Sequence, residues 1–196
     1  MKRAQFDHDE VLQRAVQVFW RHGYHATSMQ QIFAATGLKP GSLYLAYGNK
    51  ASLFSAALDS YAQLNIAKLD QMITRSENIE AGICNFLYML IEEAQAEDYQ
   101  GCFLVNCQLE LAANADELHG RVTQHLQTVE RKFAGYLRQT HHQDTAESLA
   151  ACIMVQIFGL RVYSYLCNSK QQLIDTVQKG LPWLQWPSAE TAEKTH

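Results

Sequence analysis

The sequence predicts an all-α fold, and three observations support that prediction. Apolar residues recur at helical spacing in segment after segment of the 196 residues. No segment shows the strict apolar–polar alternation of a half-buried strand, and there is no internal repeat. Helix breakers are sparse, with 3 Pro and 10 Gly. The first prediction is therefore a chain made of helices joined by short connections.

Composition indicates a soluble globular protein, since 47% of the residues are hydrophobic and no window approaches 18 uninterrupted apolar residues. The N-terminal MKRAQFDHDE lacks the apolar run of a signal peptide, so we expect a cytoplasmic protein. Charge is uneven: residues 1–50 carry six Lys or Arg against three acids, a net +3, and the remainder carries −7. A basic first quarter on an acidic body indicates that one end meets a polyanion.

The five cysteines form no CxxC pair, and their odd number favours reduced thiols over a disulfide framework. The eight histidines do not join them at ligand spacing, so we expect no zinc site. The sequence contains no nucleophile elbow, P-loop or dinucleotide fingerprint. We therefore expect no metal, no cofactor and no enzymatic activity.

The first helix is predicted in FDHDEVLQRAVQVFWRHG, where Asp7 caps the N-terminus and Glu10 completes an acidic variant of the capping box. Gly23 is expected to end this helix. Its predicted apolar face consists of Val11, Leu12, Ala15, Val18 and Phe19.

The second helix is predicted in TSMQQIFAATG, with Thr27 or Ser28 as its cap and Gly37 in the left-handed conformation after its last turn. The inward residues are expected to be Met29, Ile32 and Phe33. Two short helices separated by a glycine turn form the first part of a helix-turn-helix.

The third helix is predicted over residues 40–47, in GLKPGSLYLAYGNK. Pro40 suits a first helical position, Gly48 breaks the helix, and Asn49 caps the next one. Leu43 and Tyr47 are expected to face the core. A two-turn helix depends on support from its neighbours, as a DNA recognition helix does.

Two further helices are predicted in KASLFSAALDSYAQLNIAKLDQMI and IEAGICNFLYMLIEEAQAE. The next segment, GCFLVNCQLELAANADELHGRVTQHLQTVERKFAGYLRQT, is expected to form a short and a long helix divided near Asn114. The last two helices are predicted in TAESLAACIMVQIFGLRVYSYLCN and KQQLIDTVQKGLPWLQW. The helix between Leu149 and Leu166 is apolar on two sides. One predicted face is Leu149, Cys152, Ile153, Ile157 and Leu160; the other is Ala151, Val155, Phe158, Val162 and Tyr165. Such a helix favours a second subunit on one face, and the alternative is the central helix of a monomer.

The first 55 residues resemble the DNA-binding domain of TetR-family transcriptional regulators. The matching segments are ATSMQQIFAATGL, GSLYLAYGNKASLF and the preceding VFWRHGY. The resemblance implies a helix-turn-helix DNA-binding domain over residues 1–48 and a helical effector-binding and dimerisation domain over 49–186. In the family the body dimerises through its last two helices. The polar segment 187–196 is expected to be a disordered tail.

The resemblance also implies roles for single residues. Tyr44 and Lys50 match positions that grip phosphates, and Thr27 and Ser28 match the start of a helix that touches the DNA backbone. Capping alone is the other role open to Thr27 and Ser28. The positions that face the groove are Lys39, Pro40, Gly41, Ser42, Leu45 and Ala46. Since few side chains on this face can make bidentate hydrogen bonds to bases, we expect thymine-methyl contact through Leu45 or Ala46, and guanine or phosphate contact through Lys39.

The body is expected to bind a small-molecule effector, because polar and aromatic residues interrupt its apolar helices. The candidate pocket or sensing residues are Tyr61, Leu64, Phe86, Tyr88, Met89, Cys102, Asn106, Arg161 and Tyr165. The charge of Arg161 requires a carboxylate, a carbonyl or an anionic ligand. GCFLVN resembles a segment of N-ethylmaleimide-sensing family members, which implies thiol sensing by Cys102; a small buried core residue is the alternative.

The sequence thus predicts a dimeric repressor that binds a palindromic operator and is released by an apolar or electrophilic effector or an oxidant. A helical small-molecule-binding or thiol-dependent enzyme with a structural N-terminal bundle is the alternative. A helix-turn-helix protein that acts through a protein partner is a third possibility, which differs only in the body.

Overall fold

The computed structural model describes residues 6–113, 117–167 and 169–187, and these residues contain nine α-helices and no strand. The all-α prediction is confirmed. The helices are α1 (His8–Ala26), α2 (Met29–Thr36), α3 (Pro40–Tyr47), α4 (Lys50–Arg75), α5 (Ile79–Glu93), α6 (Phe103–Leu111), α7 (Glu117–Leu137), α8 (Gln143–Tyr163) and α9 (Lys170–Gly180). Asn114, where a division was predicted, and all of the predicted tail except Pro187 lie outside the described residues.

The chain divides into two compact units. The first contains the residues up to Leu64 together with Cys102–His125, that is α1 to α3, the first part of α4, α6 and the start of α7. The second contains Asn65–Gly101 and the residues from Leu126 onward. The boundary predicted after residue 48 concerns the DNA-binding segment and stays a prediction.

The start of α1 follows the predicted cap only in part. The Asp7 carboxylate accepts hydrogen bonds from the amides of Asp9 and Glu10, at 2.9 and 3.3 Å. The Glu10 carboxylate pairs with Arg14 one turn later, at 2.5 Å, so the predicted capping-box role for Glu10 is wrong. On the inner face Val16 is buried, whereas the predicted Val18 is only half-buried.

Gly23 interrupts α1 as predicted. Its φ of 78° and ψ of 169° lie in a region that is essentially restricted to glycine, and the last residues of α1 form a separate short turn. The hydroxyl of Thr27, which follows that turn, donates to the Gly23 carbonyl at 2.6 Å.

The second and third helices match the prediction closely. Ser28 is the cap of α2 and forms a capping box with Gln31: the Ser28 amide donates to the Gln31 side chain at 2.7 Å, and the Gln31 amide donates to Ser28 Oγ at 3.3 Å. Gly37 is left-handed, with a φ of 69°. Ile32 and Leu43 are fully buried and hold the two helices in the first unit.

In the second unit α9 is shorter than predicted. It ends at Gly180 rather than continuing toward Trp186, because Leu181 precedes a proline and adopts φ −127° and ψ 63°. The Trp186 indole then donates to the Leu181 carbonyl at 3.1 Å, which folds this segment back on the helix end.

One face of α8 enters the core of the second unit through Ile153, Ile157 and Leu160. The other face is exposed, and Val155 keeps 66% of its surface accessible. Cys152 was predicted on the same face as Ile153, Ile157 and Leu160 but is exposed, so that grouping is wrong. By length and composition alone, α8 is the one described helix that could cross a membrane, a test that the core helix of a soluble protein also passes.

Candidate functional site

The outer face of α3 exposes apolar side chains to solvent. Leu45 keeps 79% of its surface accessible, and Ala46 beside it is also exposed. The predicted groove-facing residues Lys39, Pro40 and Gly41 are exposed as well, and Ser42 is half-buried. The N-cap position is Lys39, whose ammonium has no acceptor for the helix amides and makes no capping bond; its side chain is exposed.

The two predicted phosphate-binding residues are Tyr44, on α3, and Lys50, at the start of α4. The Tyr44 ring rests edge-on against Phe33, with ring centroids 5.8 Å apart, and remains half-exposed. Lys50 is the first residue of α4, where helix amides favour anions. Its ammonium donates to the His25 carbonyl at 3.2 Å and lies 4.7 Å from the centre of the Tyr24 ring. Each side chain is therefore held by a contact with a neighbouring helix.

Of the two residues predicted at the start of α2, only Ser28 is exposed. Thr27 is 2% exposed and its hydroxyl is used by Gly23. The α2 cap considered for both residues is Ser28. Because the Thr27 hydroxyl is buried and bonded to Gly23, a phosphate contact from Ser28 is the more accessible of the two, and both DNA contacts stay predictions.

Sequence reasoning missed the contacts that hold α1 against this site. The Tyr47 hydroxyl lies 3.0 Å from His8 Nδ1, and burial together with the nearby Asp9 carboxylate raises the pKa of Tyr47. Arg14 donates to the Ala35 carbonyl at 3.1 Å and so joins α1 to α2. The Arg14–Ala35 contact joins residues 21 positions apart, and the His8–Tyr47 contact joins residues 39 positions apart. No local sequence motif indicates such contacts.

Cys102 is the N-cap of α6, as expected for a thiol at a helix start, and it follows Gly101, whose φ is 76°. Its side chain is half-buried, and the Tyr61 hydroxyl donates to its sulfur over 3.7 Å. Tyr61 also packs edge-on against Trp20 and Phe103, with ring centroids 5.3 and 5.5 Å apart. The thiol is thus half-buried and contacts the hydroxyl of a tyrosine whose ring packs against two other aromatic rings.

Cys107, the next cysteine, is buried in the same unit. Burial raises the pKa of its thiol far above the ordinary value, and the neighbouring Glu110 and Cys102 raise it further. It is therefore a poor nucleophile. Among the described residues no group of three His, Cys, Asp or Glu side chains could hold a metal ion.

The predicted pocket residues divide between the two units. Tyr61, Leu64, Cys102 and Asn106 belong to the first unit; Phe86, Tyr88, Met89, Arg161 and Tyr165 belong to the second. In the first unit, Tyr61 and Leu64 line a groove of about 390 Å³ between α1 and α4, together with Trp20.

In the second unit the candidate residues have structural contacts. Phe86 packs in the core against Phe133. The Tyr88 hydroxyl accepts from Gln178 at 2.9 Å. Arg161 is 4% exposed and pairs with the Glu93 carboxylate at 2.7 Å. Of the carboxylate, carbonyl or anionic ligand expected to balance its charge, the carboxylate is the partner found. Tyr165 is exposed and contacts Tyr99.

Comparison with known proteins agrees with this geometry. A family model described as "Bacterial regulatory proteins, tetR family" matches residues 11–57, which include α2, α3 and the start of α4. The HTH-type transcriptional repressor ComR of Escherichia coli K12 is 30% identical over 136 residues, which cover 68% of this chain and 65% of ComR. The chain belongs to the tetR family.

Two further similarities place this tetR-family chain among solved and curated members. The regulator CifR, solved as a cysteine mutant with 26-base-pair operator DNA, is 27% identical, with a TM-score of 0.76, over 95% of this chain and 100% of that one. The HTH-type transcriptional repressor BdcR of Escherichia coli K12 is 24% identical over 87% of this chain and 85% of its own length. The chain thus spans less than two thirds of ComR but most of the other two.

Proposed function

We propose that this tetR-family regulator is a homodimeric, cytoplasmic repressor that binds a palindromic operator. The observation that carries the proposal is the exposed outer face of α3, flanked by Ser28, Tyr44 and Lys50 on structured supports. Phosphate contacts from the flanking residues set the register of a protein on DNA, and a helix in the major groove reads the bases. The operator complex of CifR, a relative of similar fold, supports the same partner class.

The chemistry of the α3 face indicates how a sequence would be read. Leu45 and Ala46 offer apolar contact to thymine methyl groups, and Lys39 offers a donor to guanine or phosphate. Leu45 and Ala46 have no side-chain donor or acceptor, so Lys39 is the only one of these three that can hydrogen-bond to a base, at guanine O6 and N7. Much of the affinity would then come from phosphate contacts and fall steeply with salt.

Dimerisation through the last two helices, α8 and α9, is the second part of the proposal, and the exposed face of α8 is the observation that supports it. The outward face of α8 and the turn after it exposes Val155, Val162 and Leu166, at 66%, 50% and 81%. The open space beside Gly159 leaves room for close approach of another helix. A second copy of this chain is the proposed occupant, because a palindromic operator requires a two-fold dimer.

Release from DNA is the third part. An apolar electrophile would approach the half-buried Cys102 beside Tyr61 and Phe103. If it carries an activated carbon–carbon double bond, the sulfur bonds to one carbon and the thiol proton ends on the other. The adduct at the start of α6 would favour a conformation in which the two α3 helices no longer match the half-sites. An oxidant that acts on the same thiol is the second stimulus proposed.

Fluorescence anisotropy with DNA from upstream of the protein's own gene tests operator binding. We expect binding at least about a thousandfold tighter than to random duplex at physiological salt. A Lys50→Ala variant should lower the magnitude of the salt slope by about 0.9 on all sequences, whereas Leu45→Ala should weaken the operator alone. Equal affinity for operator and random DNA would refute the proposal.

Sensing is tested separately with N-ethylmaleimide. The wild type should be released from DNA in proportion to adduct formation at Cys102, and Cys102→Ser should stay bound. Cys107→Ser is the control, because burial raises the pKa of this thiol of the same unit and makes it a poor nucleophile. If Cys102→Ser is released as readily as the wild type, thiol sensing fails while operator binding stands.

A further inference from the structure

A carboxylate from α6 holds the end of α1. One oxygen of Glu110 accepts a hydrogen bond from the Tyr24 amide and the other from the His25 amide, each at 2.9 Å. Both contacts lie within the first unit and join residues 85 and 86 positions apart. Hydrogen bonds to an ionised acceptor are about twice as strong as neutral ones. Glu110 therefore acts as a cap supplied from another helix.

The absence of a side chain at Gly23 makes room for this contact. A Cβ at this position would lie 2.8 and 2.9 Å from the two Glu110 carboxylate oxygens. The φ of 78° and ψ of 169° independently require glycine. The backbone bend and the missing side chain together let the carboxylate reach two successive amides.

The segment that Glu110 holds is the one that holds Lys50. The carbonyl of His25 accepts a hydrogen bond from the Lys50 ammonium at 3.2 Å. The Tyr24 ring lies below the same ammonium, 4.7 Å from its centre, which is cation–π distance. Two of the contacts that fix the direction of Lys50 thus come from the two residues whose amides Glu110 binds.

We propose that Glu110 is a positioning residue for DNA binding, which fixes the turn at Tyr24 and His25 and through it aims the Lys50 ammonium at a phosphate. The inference rests on the proposed operator binding. It also gives α6 a defined output: the helix begins after Cys102 and reaches Glu110 within eight residues, about 12 Å. A shift of α6 caused by an adduct at Cys102 would therefore pull on the Glu110 contact.

The sign of the effect distinguishes this role from general electrostatics. Removing a negative charge from a DNA-binding protein ordinarily strengthens its attraction to DNA. Glu110→Gln removes such a charge, yet it leaves one acceptor where two amides point and puts an NH₂ group against the other amide. We therefore expect operator affinity about tenfold weaker, on the scale of a lost charge-assisted bond. The matched control is Glu117→Gln, the same charge change on an exposed side chain of the same unit.

The test is anisotropy with operator DNA at several salt concentrations, for wild type, Glu110→Gln, Glu117→Gln and Lys50→Ala. Glu110→Gln should lose affinity and shift the salt slope toward that of Lys50→Ala, while Glu117→Gln binds as well as the wild type or better. In the Lys50→Ala background Glu110→Gln should cost no more than about twofold, because both changes remove the same contact.

Each other outcome overturns a defined claim. A wild type that does not prefer operator DNA refutes the proposed function itself. A wild type that binds, with Glu110→Gln of equal or higher affinity, refutes the positioning role alone. A loss with unchanged salt slope and full additivity with Lys50→Ala also refutes it, since only folding would then be affected. If Glu110→Gln lowers helicity, the same comparison is made with Glu110→Asp. This variant keeps the negative charge but shortens the side chain by one methylene, so the carboxylate no longer reaches both amides.

Discussion

Two neighbouring glutamates at the end of α5 provide a sharp test of how burial sets the strength of an ion pair. Glu93 pairs with Arg161, whose side chain is 4% exposed, and also with Lys68 at 3.2 Å. Glu92 pairs with Lys170, and both of those side chains are 47% exposed. Glu93→Gln and Glu92→Gln remove the same charge from adjacent positions.

The expected costs differ because only one partner is buried. Removing one member of a fully buried pair costs about 3–5 kcal/mol, whereas an exposed pair contributes about 0–1 kcal/mol. Glu93 itself is about one-third exposed, so solvent screening lowers the first figure to about 2–3 kcal/mol. We therefore expect Glu93→Gln to lower the free energy of unfolding by about 2–3 kcal/mol and Glu92→Gln by less than about 1 kcal/mol.

The pH dependence has a definite sign. Burial alone would raise the pKa of Glu93, but the charges and hydrogen bonds of Arg161 and Lys68 outweigh it and hold the pKa below its usual value. A depressed carboxyl pKa contributes stability above the unfolded value, about 4.3, and that stability is lost as pH falls through the folded pKa. The difference between wild type and Glu93→Gln should therefore be full at pH 7 and shrink below about pH 4.

The assay is urea unfolding followed by circular dichroism, at one fixed protein concentration because a dimer's stability depends on it. Equal costs for the two variants would refute the reasoning, as would a Glu93→Gln difference that does not change between pH 7 and pH 3.5. Either result would mean that the low exposure of Arg161 does not strengthen its pair.

Two further predictions use the same unfolding and labelling methods. Gly82→Ala should lower the free energy of unfolding in urea by about 1–3 kcal/mol, because the new Cβ would lie 2.7 Å from the Ile73 backbone. Gly135→Ala has open space around the new Cβ and should instead raise the free energy of unfolding by about 0.5–1 kcal/mol. Equal effects of the two substitutions would contradict this prediction. The Cys107 thiol should resist iodoacetamide at pH 8 in the folded protein and react in urea, since burial raises its pKa; equal labelling rates by mass spectrometry would contradict that.

The sequence predicted the N-terminal helices well because their signals are local. Pro40, Gly48 and the serine cap of α2 each fix a helix end through backbone conformation or one hydrogen bond, and α3 begins and ends as predicted. Trp186 shows the limit of such signals. Apolar periodicity continued past Gly180, but the proline at 182 overrode it and the segment turned back.

Candidate site residues were harder to predict because their roles depend on contacts between helices. Arg161 was a pocket candidate on account of its charge, and its partner lies 68 residues away. Glu110 gave no signal at all, since a glutamate in a helix is ordinary and only the bend at Gly23 brings it to two amides. Periodicity assigns a side chain to a face of its helix, but it does not identify what that face meets.

The two faces of α8 illustrate that limit and bear on the proposed dimer. Pattern alone placed Cys152 with Ile153 and Val155 with Phe158, whereas in the single chain Cys152 and Val155 are both exposed. The exposed face therefore runs through Cys152, Val155 and Val162 and continues to Leu166 beyond the helix, a row of apolar side chains that a monomer would leave in water. Because Val155 lies within this row and keeps 66% of its surface accessible, one charge at this position should be decisive. Val155→Asp should yield a monomer by sedimentation velocity with unchanged helicity, and loss of operator affinity should follow, since each half-site would then bind alone. A Val155→Asp protein that remains dimeric would place the interface elsewhere on the chain.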